Sequence, residues 1–368
     1  MAQLINNEND RYHILPKATI RPEKIVFYNQ FIRKKTMEEI KAEELKKKQK
    51  TDIKNLDSKT KMFLTSIGAI DNKLPASNKH NYEISIKASQ RIKEKVSWLY
   101  SLAKNKTVTT HNGKVLHCFK MNFITLTLPS KQAHSTDVIN KECLNQFITE
   151  CSQQFGLKNY VWRLEFQKNG NAHYHIATDT YIEFWRCKKI WNRIINKLGY
   201  VDAYAQKFSK YTFAEYYKEF HKVGQEDFKT LKGRFSAGVS TKWCEPNTVD
   251  CRNVTNAKNI SFYISKYITK KSDAKLNPIV SERDNTETNL RLWFCSRSLS
   301  KLSKIEIFLE QIDTTIDGVL DTLTNKKEFI FDYCTVVYFS LKEQVTTFKQ
   351  NYWLLLNNYA KSTGYFLP

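Results

Sequence analysis

No Cys-x-x-Cys pair occurs among the eight cysteines of this 368-residue chain. Closely paired cysteines are typical of zinc ribbons, and regularly spaced cysteines are typical of small secreted disulfide frameworks. Neither class is therefore expected. The sequence instead predicts reduced thiols in a cytoplasmic compartment.

Long apolar runs are also missing. No stretch approaches the length of a membrane span, and residues 1–9 lack the apolar segment of a secretory signal. The chain has no G-x-x-x-x-G-K-S/T segment, which is the phosphate-binding loop of nucleotide-hydrolysing motors. We therefore expect no membrane partner and no nucleotide cofactor.

Acidic residues are few relative to basic ones. The 59 Lys and Arg against 37 Asp and Glu give a net charge of +22. Such a charge attracts a polyanion, either a nucleic acid or an anionic membrane surface. With 22 Phe, 19 Tyr and 7 Trp the chain has enough large apolar residues for a core. The composition thus favours a folded protein that binds nucleic acid.

Composition also divides the chain. Residues 1–84 are polar and lysine-rich, so we predict a basic extension that is largely helical or mobile. Residues 85–300 alternate between strand-like and helix-like patterns and are predicted to form the main domain. Residues 301–368 are predicted to add a helical extension.

The main domain shows a regular order of elements. Apolar spacing and β-branched content predict the following segments: strand 115–128, helix 135–154, strands 160–167 and 172–178, helix 182–198, strand 248–254 and helix 259–271. This β-α-β-β-α-β order predicts an α+β fold with a ferredoxin-like antiparallel sheet and added helices at both ends. Residues 201–245 resist assignment, and the aromatic and lysine residues in 204–220 suit either single-strand stacking or core packing.

The segment His173-Tyr174-His175 lies in a predicted strand. Side chains two residues apart share one face of a strand, so the two imidazoles would project together. Two imidazoles on a rigid face form part of a divalent metal site and leave positions open for substrate oxygens. The alternative is a pair of solvated histidines.

Glu165 on the preceding strand completes a mixed donor set suited to Mg²⁺ or Mn²⁺. A two-residue turn at Asn169-Gly170 would place Glu165 opposite Tyr174, away from the histidines. An odd loop, such as 169–171 with a bulge, would restore a common face, and we therefore expect one. The alternative for Glu165 is a surface carboxylate paired with a basic neighbour.

A second constellation lies in the predicted helix 259–271. Tyr263 and Tyr267 are one turn apart, and Lys266 and Lys270 each follow a tyrosine by three residues. A phenol has a pKa of about 10 and becomes a useful nucleophile only when a cation stabilises its developing charge. The alternative is an amphipathic helix in which the tyrosines pack and the lysines are solvated.

Taken together, these motifs resemble the replication initiators of the HUH endonuclease superfamily. The similarity is greatest to the two-tyrosine initiators of microviruses and related phages and plasmids, whose motif is Tyr-x-x-x-Tyr-x-x-Lys. Tyr263, Tyr267 and Lys270 match that motif, and Lys266 adds a cation. Glu165 precedes His173 at the ligand spacing of related single-stranded-DNA virus initiators. The motifs cover about residues 120–271.

The resemblance implies a rolling-circle initiator that nicks and rejoins single-stranded origin DNA through a 5′-phosphotyrosine link. It implies Glu165, His173 and His175 as ligands of Mg²⁺ or Mn²⁺. It also implies a host helicase and polymerase as partners, in the cytoplasm of a bacterial host. Two other functions remain open from the sequence: a plasmid relaxase or transposase of the same superfamily, and a non-catalytic protein that binds single-stranded nucleic acid.

Overall fold

A computed structural model describes residues 12–33, 35–55, 60, 84–109, 113–221, 227–254, 280, 283–284, 290–308 and 321–365. The strands in chain order are β1 (Tyr12–Arg21), β2 (Lys24–Arg33), β3 (Lys106–Thr109), β4 (Val115–Phe119), β5 (Met121–Thr127), β6 (Tyr160–Phe166), β7 (Ala172–Thr178), β8 (Val249–Val254), β9 (Trp293–Cys295), β10 (Ile305–Phe308), β11 (Lys327–Phe331) and β12 (Cys334–Tyr338).

The helices are α1 (Met37–Asn55), α2 (Ile86–Leu102), α3 (Thr136–Val138, a π-helical segment Ile139–Leu144, then Asn145–Phe155), α4 (Phe184–Asn196), α5 (Tyr200–Phe208), α6 (Phe213–Phe220), α7 (Phe228–Ser240), α8 (Arg297–Lys301) and α9 (Thr346–Ser362). Among the described residues, no helix is long and apolar enough to cross a membrane.

The chain divides into two compact units. The first combines Met1–Lys79 with Lys304–Tyr352, and the second combines His80–Ser303 with Trp353–Pro368. Each unit has its own five-stranded sheet, and the second also carries the two-stranded sheet β3–β4.

The first unit contains an antiparallel sheet in the order β10-β1-β2-β12-β11. A tight turn at Pro22 and Glu23 joins β1 to β2, and Glu23 has the positive φ of 55° that such turns require. Helix α1 begins at a capping box, because the Glu39 N–H donates to Thr36 Oγ1 and the Thr36 N–H donates to the Glu39 carboxylate.

These strands correct two expectations. Residues 12–33 form a hairpin where a helical or mobile extension was expected, although 37–55 are helical. Residues 305–308 and 327–338 form strands where a helical extension was expected. The lysine-rich average of the first segment hid a short run of β-branched and aromatic residues, KIVFYNQFIR, which packs well in a sheet.

The second unit contains an antiparallel sheet in the order β8-β5-β7-β6-β9. Helices α3 and α4 cover one face and form the main core with it. This mixed architecture agrees with the expected α+β class. The predicted helix 135–154 is confirmed, since Ser135 caps its start and Gly156 ends it with a φ of 69°.

Alternation along the strands decides which face is buried. In β5, β6 and β7 the even-numbered residues, such as Leu126, Leu164 and Tyr174, pack against Phe147 of α3 and Trp191 of α4. The odd-numbered residues therefore lie on the opposite face. The helices thus supply burial on one side while the polar residues of the same strands point to the other.

Residues 201–245 contain α5, α6 and α7, which enclose a small aromatic core of Phe208, Tyr216, Leu231 and Trp243. A Cβ atom at Gly238 would lie 2.2 Å from the Trp243 ring, so only glycine permits this packing. Core packing therefore accounts for these buried rings, and the single-strand stacking alternative does not apply to them.

Candidate active site

The hairpin β6–β7 places Glu165 directly opposite His173, and Arg163 directly opposite His175. Directly paired residues share a sheet face. Strand β5 adds Thr125 opposite His175 and Thr127 opposite His173. The expected common face is therefore present. We call the face formed by Thr125, Thr127, Arg163, Glu165, Gln167, His173 and His175 the site face.

The loop that joins the two strands has an odd number of residues. The Gln167 N–H donates to the Asn171 carbonyl at 2.9 Å, and the Gly170 N–H donates to the Gln167 carbonyl at 2.8 Å. The loop is thus 168–170, one position earlier than the example anticipated from the sequence. Gly170 has a φ of 80°, the left-handed conformation that closes three-residue hairpins.

The three expected ligands lie close together. Nε2 of His175 is 3.1 Å from Oε2 of Glu165, and the rings of His173 and His175 have centroids 4.6 Å apart. All three side chains are half-buried at the edge of the core. Partial burial weakens solvent screening, so charge interactions at this position are stronger than at an open surface.

Both imidazoles are held through Nδ1. Nδ1 of His175 lies 3.4 Å from Thr125 Oγ1, and Nδ1 of His173 lies 3.3 Å from the side-chain amide nitrogen of Gln167. Thr127 Oγ1 donates to Gln167 Oε1 at 3.2 Å. Turning the Gln167 amide over would let its oxygen accept from an Nδ1–H of His173 without moving any of the three residues. Nε2 is then the ligating atom of each ring.

The donor set fits a divalent cation, because two neutral imidazoles and one carboxylate are common ligands of such ions. In the described part of the chain, no three His, Cys, Asp or Glu side chains are already arranged around one ion position. Here the Glu165 carboxylate contacts His175 itself. Binding would require this carboxylate to exchange that contact for the ion.

Helix α2 limits the approach to the site face. A cavity of about 30 Å³ lies between Val96 of α2 and the sheet, with Phe123, His175 and Asp250 among its walls. Nearby Val161 and Ala177 are buried, so α2 covers this end of the face. A substrate would therefore approach at the other end, near Glu165 and His173.

Arg163 supplies a buried positive charge beside the histidines. Burial lowers the pKa of its guanidinium, whereas the neighbouring charge of Glu165 raises it. Arginine nevertheless remains protonated in proteins. A positive group at this position would favour a phosphate close to the site face.

Tyr174 lies between the two histidines but on the helix-covered face. Its hydroxyl donates to Asn140 Oδ1 at 2.6 Å, and burial raises the pKa of the phenol well above its usual range. Tyr174 is therefore a core residue and cannot reach a substrate on the site face.

A polar network that the sequence did not reveal supports the hairpin loop. Arg283 donates to the Gly170 carbonyl at 2.7 Å, and the Asp284 carboxylate accepts from the backbone N–H and hydroxyl of Thr136, each at 2.6 Å. The network joins the loop beside the histidines to the start of α3. No motif signals it, since the partners are far apart in sequence.

The predicted nucleophiles Tyr263 and Tyr267, with Lys266 and Lys270, lie outside the described residues. Their assignment therefore stays a prediction. The described chain stops before them at the end of β8 and includes the short segment Arg283–Asp284 after them.

One family model matches the chain, over residues 121–272, which is less than half of its length. The family is described as a replication-associated protein family of the ORF2 type. The matched stretch includes the site face and the predicted tyrosine segment. No curated protein and no solved structure was found to match. The family match supports a role in DNA replication.

Proposed function

We propose that this protein is a rolling-circle replication initiator that nicks and rejoins single-stranded origin DNA. One observation carries the proposal: Glu165, His173 and His175 converge on one sheet face within the stretch that matches a replication-associated family. Non-catalytic binding would leave this buried arrangement of donors without a role.

The topology supports a ferredoxin-like HUH core. If β5, β6, β7 and β8 are taken as the first to fourth strands of the predicted pattern, their order across the sheet is fourth, first, third, second. Helix α3 follows the first strand, and α4 follows the third. Strand β9 extends this sheet at the β6 edge.

The proposed reaction transfers a DNA strand to a tyrosine. The phenolate oxygen of Tyr263 or Tyr267 attacks the scissile phosphorus, a bond to the phosphate forms, and the bond to the 3′ oxygen breaks. The released 3′ oxygen takes up a proton. The products are a 5′-phosphotyrosine link and a free 3′-hydroxyl that a polymerase can extend.

A divalent ion held by Glu165, His173 and His175, Mg²⁺ or Mn²⁺, would act as a Lewis acid toward the scissile phosphate. The chain's own residues position this site: Thr125 and Gln167 fix the orientation of the two rings. Lys266 and Lys270 would stabilise the phenolate charge and hold a phosphate oxygen. Arg163 adds a further fixed charge on the same face.

Strand joining would reverse the same chemistry. After one round, the second tyrosine attacks the new junction, and the released 3′-hydroxyl attacks the first phosphotyrosine. The energy of the broken phosphodiester is kept in the covalent link, so joining needs no ATP. We propose a host helicase and polymerase as partners in the cytoplasm of a bacterial host.

The test is covalent adduct formation. The full chain is incubated with a labelled origin-bearing oligonucleotide and Mn²⁺, and the products are separated under denaturing conditions. A labelled band at the mass of protein plus DNA fragment is expected, and EDTA should prevent it. Tight binding with no adduct under any metal condition would instead establish the non-catalytic alternative.

A further inference from the structure

The sheet of the first unit has two faces of different chemistry. Ala18, Ile25, Phe27 and Val337 point to one side and are buried. Residues of the opposite parity point to the other side, where aromatic rings and positive charges predominate. We call this second side the aromatic–basic face; its members are Lys17, Arg21, Lys24, Tyr28, Phe308, Lys327, Phe329, Phe331 and Tyr338.

One row of side chains crosses all five strands. Direct pairing places these residues side by side: Phe308, Lys17, Tyr28, Cys334 and Phe331. The aromatic rings thus occupy the first, third and fifth strands. Neighbouring strands are about 4.8 Å apart, so successive rings are roughly 10 Å apart. A lysine lies between the first two.

The adjoining rows repeat this mixture. Phe329 lies on the same strand as Phe331, and its ring centroid is 5.9 Å from that of Tyr338. Tyr338 pairs directly with Lys24 on one side and Lys327 on the other. The rings remain accessible, with exposed fractions of 62% for Phe308, 56% for Phe331, 48% for Phe329 and 43% for Tyr338.

The positive charges lie against the rings. Lys17 Nζ is 4.4 Å from the centroid of Phe308, and Lys24 Nζ is 4.9 Å from that of Tyr338. The acidic member of these rows, Glu306, has Lys304 and Lys17 as ion-pair partners. The face therefore carries a net positive charge that is held next to aromatic surfaces.

We propose that the aromatic–basic face is a second binding surface for single-stranded nucleic acid. Exposed rings offer platforms for unpaired bases, and cations beside them neutralise the connecting phosphates, which is how sequence-tolerant single-strand binders work. Charge complementarity favours this occupant over an apolar protein partner. The surface lies in the unit that contains none of the candidate active-site residues, so it does not depend on the proposed nicking activity.

Replacement of two rings tests the surface. Phe308→Ala with Phe331→Ala in the full chain is compared with the unchanged protein by fluorescence anisotropy, in EDTA. The ligands are an oligothymidylate and an abasic oligonucleotide of equal length. Affinity for oligothymidylate should fall by roughly five-fold or more for each ring lost, whereas affinity for the abasic strand should not change.

A matched control lies on the same strand. Ile330 is 80% exposed but points to the opposite side of the sheet, so Ile330→Ala should leave both affinities unchanged. Lys24→Gln and Lys327→Gln should each reduce the slope of log affinity against log salt by about 0.7. Lys342→Gln, outside the sheet, should not reduce it in this way.

Photo-crosslinking provides an independent readout. A bromodeoxyuridine strand should crosslink to peptides that contain β10 or β11. The inference is overturned by crosslinks confined to residues 80–303, by equal losses for Ile330→Ala, or by equal losses on the abasic strand. It is also overturned if the ring variant alters self-association in sedimentation and leaves binding unchanged, because a second copy would then cover the face.

Adduct assays separate this inference from the proposed function. The ring variant should form the covalent adduct with a short origin-bearing oligonucleotide as well as the unchanged protein does. If neither forms an adduct, the proposed function fails while the anisotropy result still decides the surface.

Discussion

Glu165 and His173 form a directly opposed pair across the β6–β7 hairpin, and His175 follows on the same face with Nε2 3.1 Å from the Glu165 carboxylate. A carboxylate and two imidazoles are thus brought together by strand pairing, which is more rigid than a loop. This pairing is the basis of the first two predictions.

Removal of both histidines should separate catalysis from binding. His173→Ala with His175→Ala is expected to abolish adduct formation, since the metal loses two of its three proposed ligands. Single-strand affinity should stay within about three-fold, because binding depends on many phosphate contacts. His221→Ala, an exposed histidine stacked on Tyr217, is the control. Undiminished adduct formation by the double variant in EDTA would exclude a metal role for these residues.

Gln167 should act as a positioning residue for His173. Its side chain bridges Thr127 and Nδ1 of His173. Loss of a group that orients a metal-binding histidine typically lowers metal affinity by roughly 10- to 100-fold. Gln167→Ala should therefore weaken Mn²⁺ binding by about that factor in calorimetry, and excess Mn²⁺ should restore adduct formation. Lys168→Ala, at the adjacent exposed position, should leave the affinity unchanged.

Tyr263 and Tyr267 are the predicted nucleophiles. Tyr263→Phe and Tyr267→Phe each remove one hydroxyl while keeping the ring. At least one single variant should lose most adduct formation, and the double variant should form none. Peptide mapping of the adduct identifies the attachment point. DNA attached at Tyr211, whose hydroxyl is hydrogen-bonded to Glu219, would refute the assignment.

Tyr174→Phe should affect stability without affecting chemistry. The change removes a hydrogen bond in the core and leaves Asn140 Oδ1 without that donor. Such a loss costs about 1–3 kcal/mol of unfolding free energy. Chemical denaturation should show this decrease, and adduct yield below the unfolding range should equal that of the unchanged protein. A selective loss of adduct would mean that Tyr174 acts in the reaction.

Gly238→Ala should disrupt the aromatic core of residues 201–245. Its new Cβ would lie 2.2 Å from the Trp243 ring, and overpacking of this kind typically costs about 1–3 kcal/mol. Gly233 is the matched control, because it lies on the same helix and a Cβ there meets nothing within 4 Å. Gly233→Ala should be neutral or stabilising by up to about 1 kcal/mol. Thermal melting of the two variants compares them directly.

The sequence predicted the site hairpin well because local rules determine it. Alternation of apolar and polar residues assigns Glu165, His173 and His175 to one face, and a glycine-containing loop permits the required register. The contact between Arg283 and Gly170 could not be predicted in this way. It joins segments separated by more than a hundred residues, and no local pattern reports such a pairing.

The first unit was mispredicted for a related reason. Strands β1 and β2 pair with each other, but β10 and β12, which flank them, come from residues nearly three hundred positions later. Composition averaged over 1–84 is dominated by lysines outside the hairpin. The short apolar alternation in 24–33 becomes recognisable as a strand only when its distant partners are known.

In β5, β6 and β7, packing and chemistry are assigned to alternating residues of the same strands. A substitution at an odd-numbered position, such as Thr125 or Gln167, changes the site while the apolar core stays filled. A substitution at an even-numbered position, such as Leu126 or Leu164, changes the core while the donors stay in place. Variation in DNA preference and variation in thermal tolerance can therefore accumulate separately in descendants of this chain, even at adjacent codons.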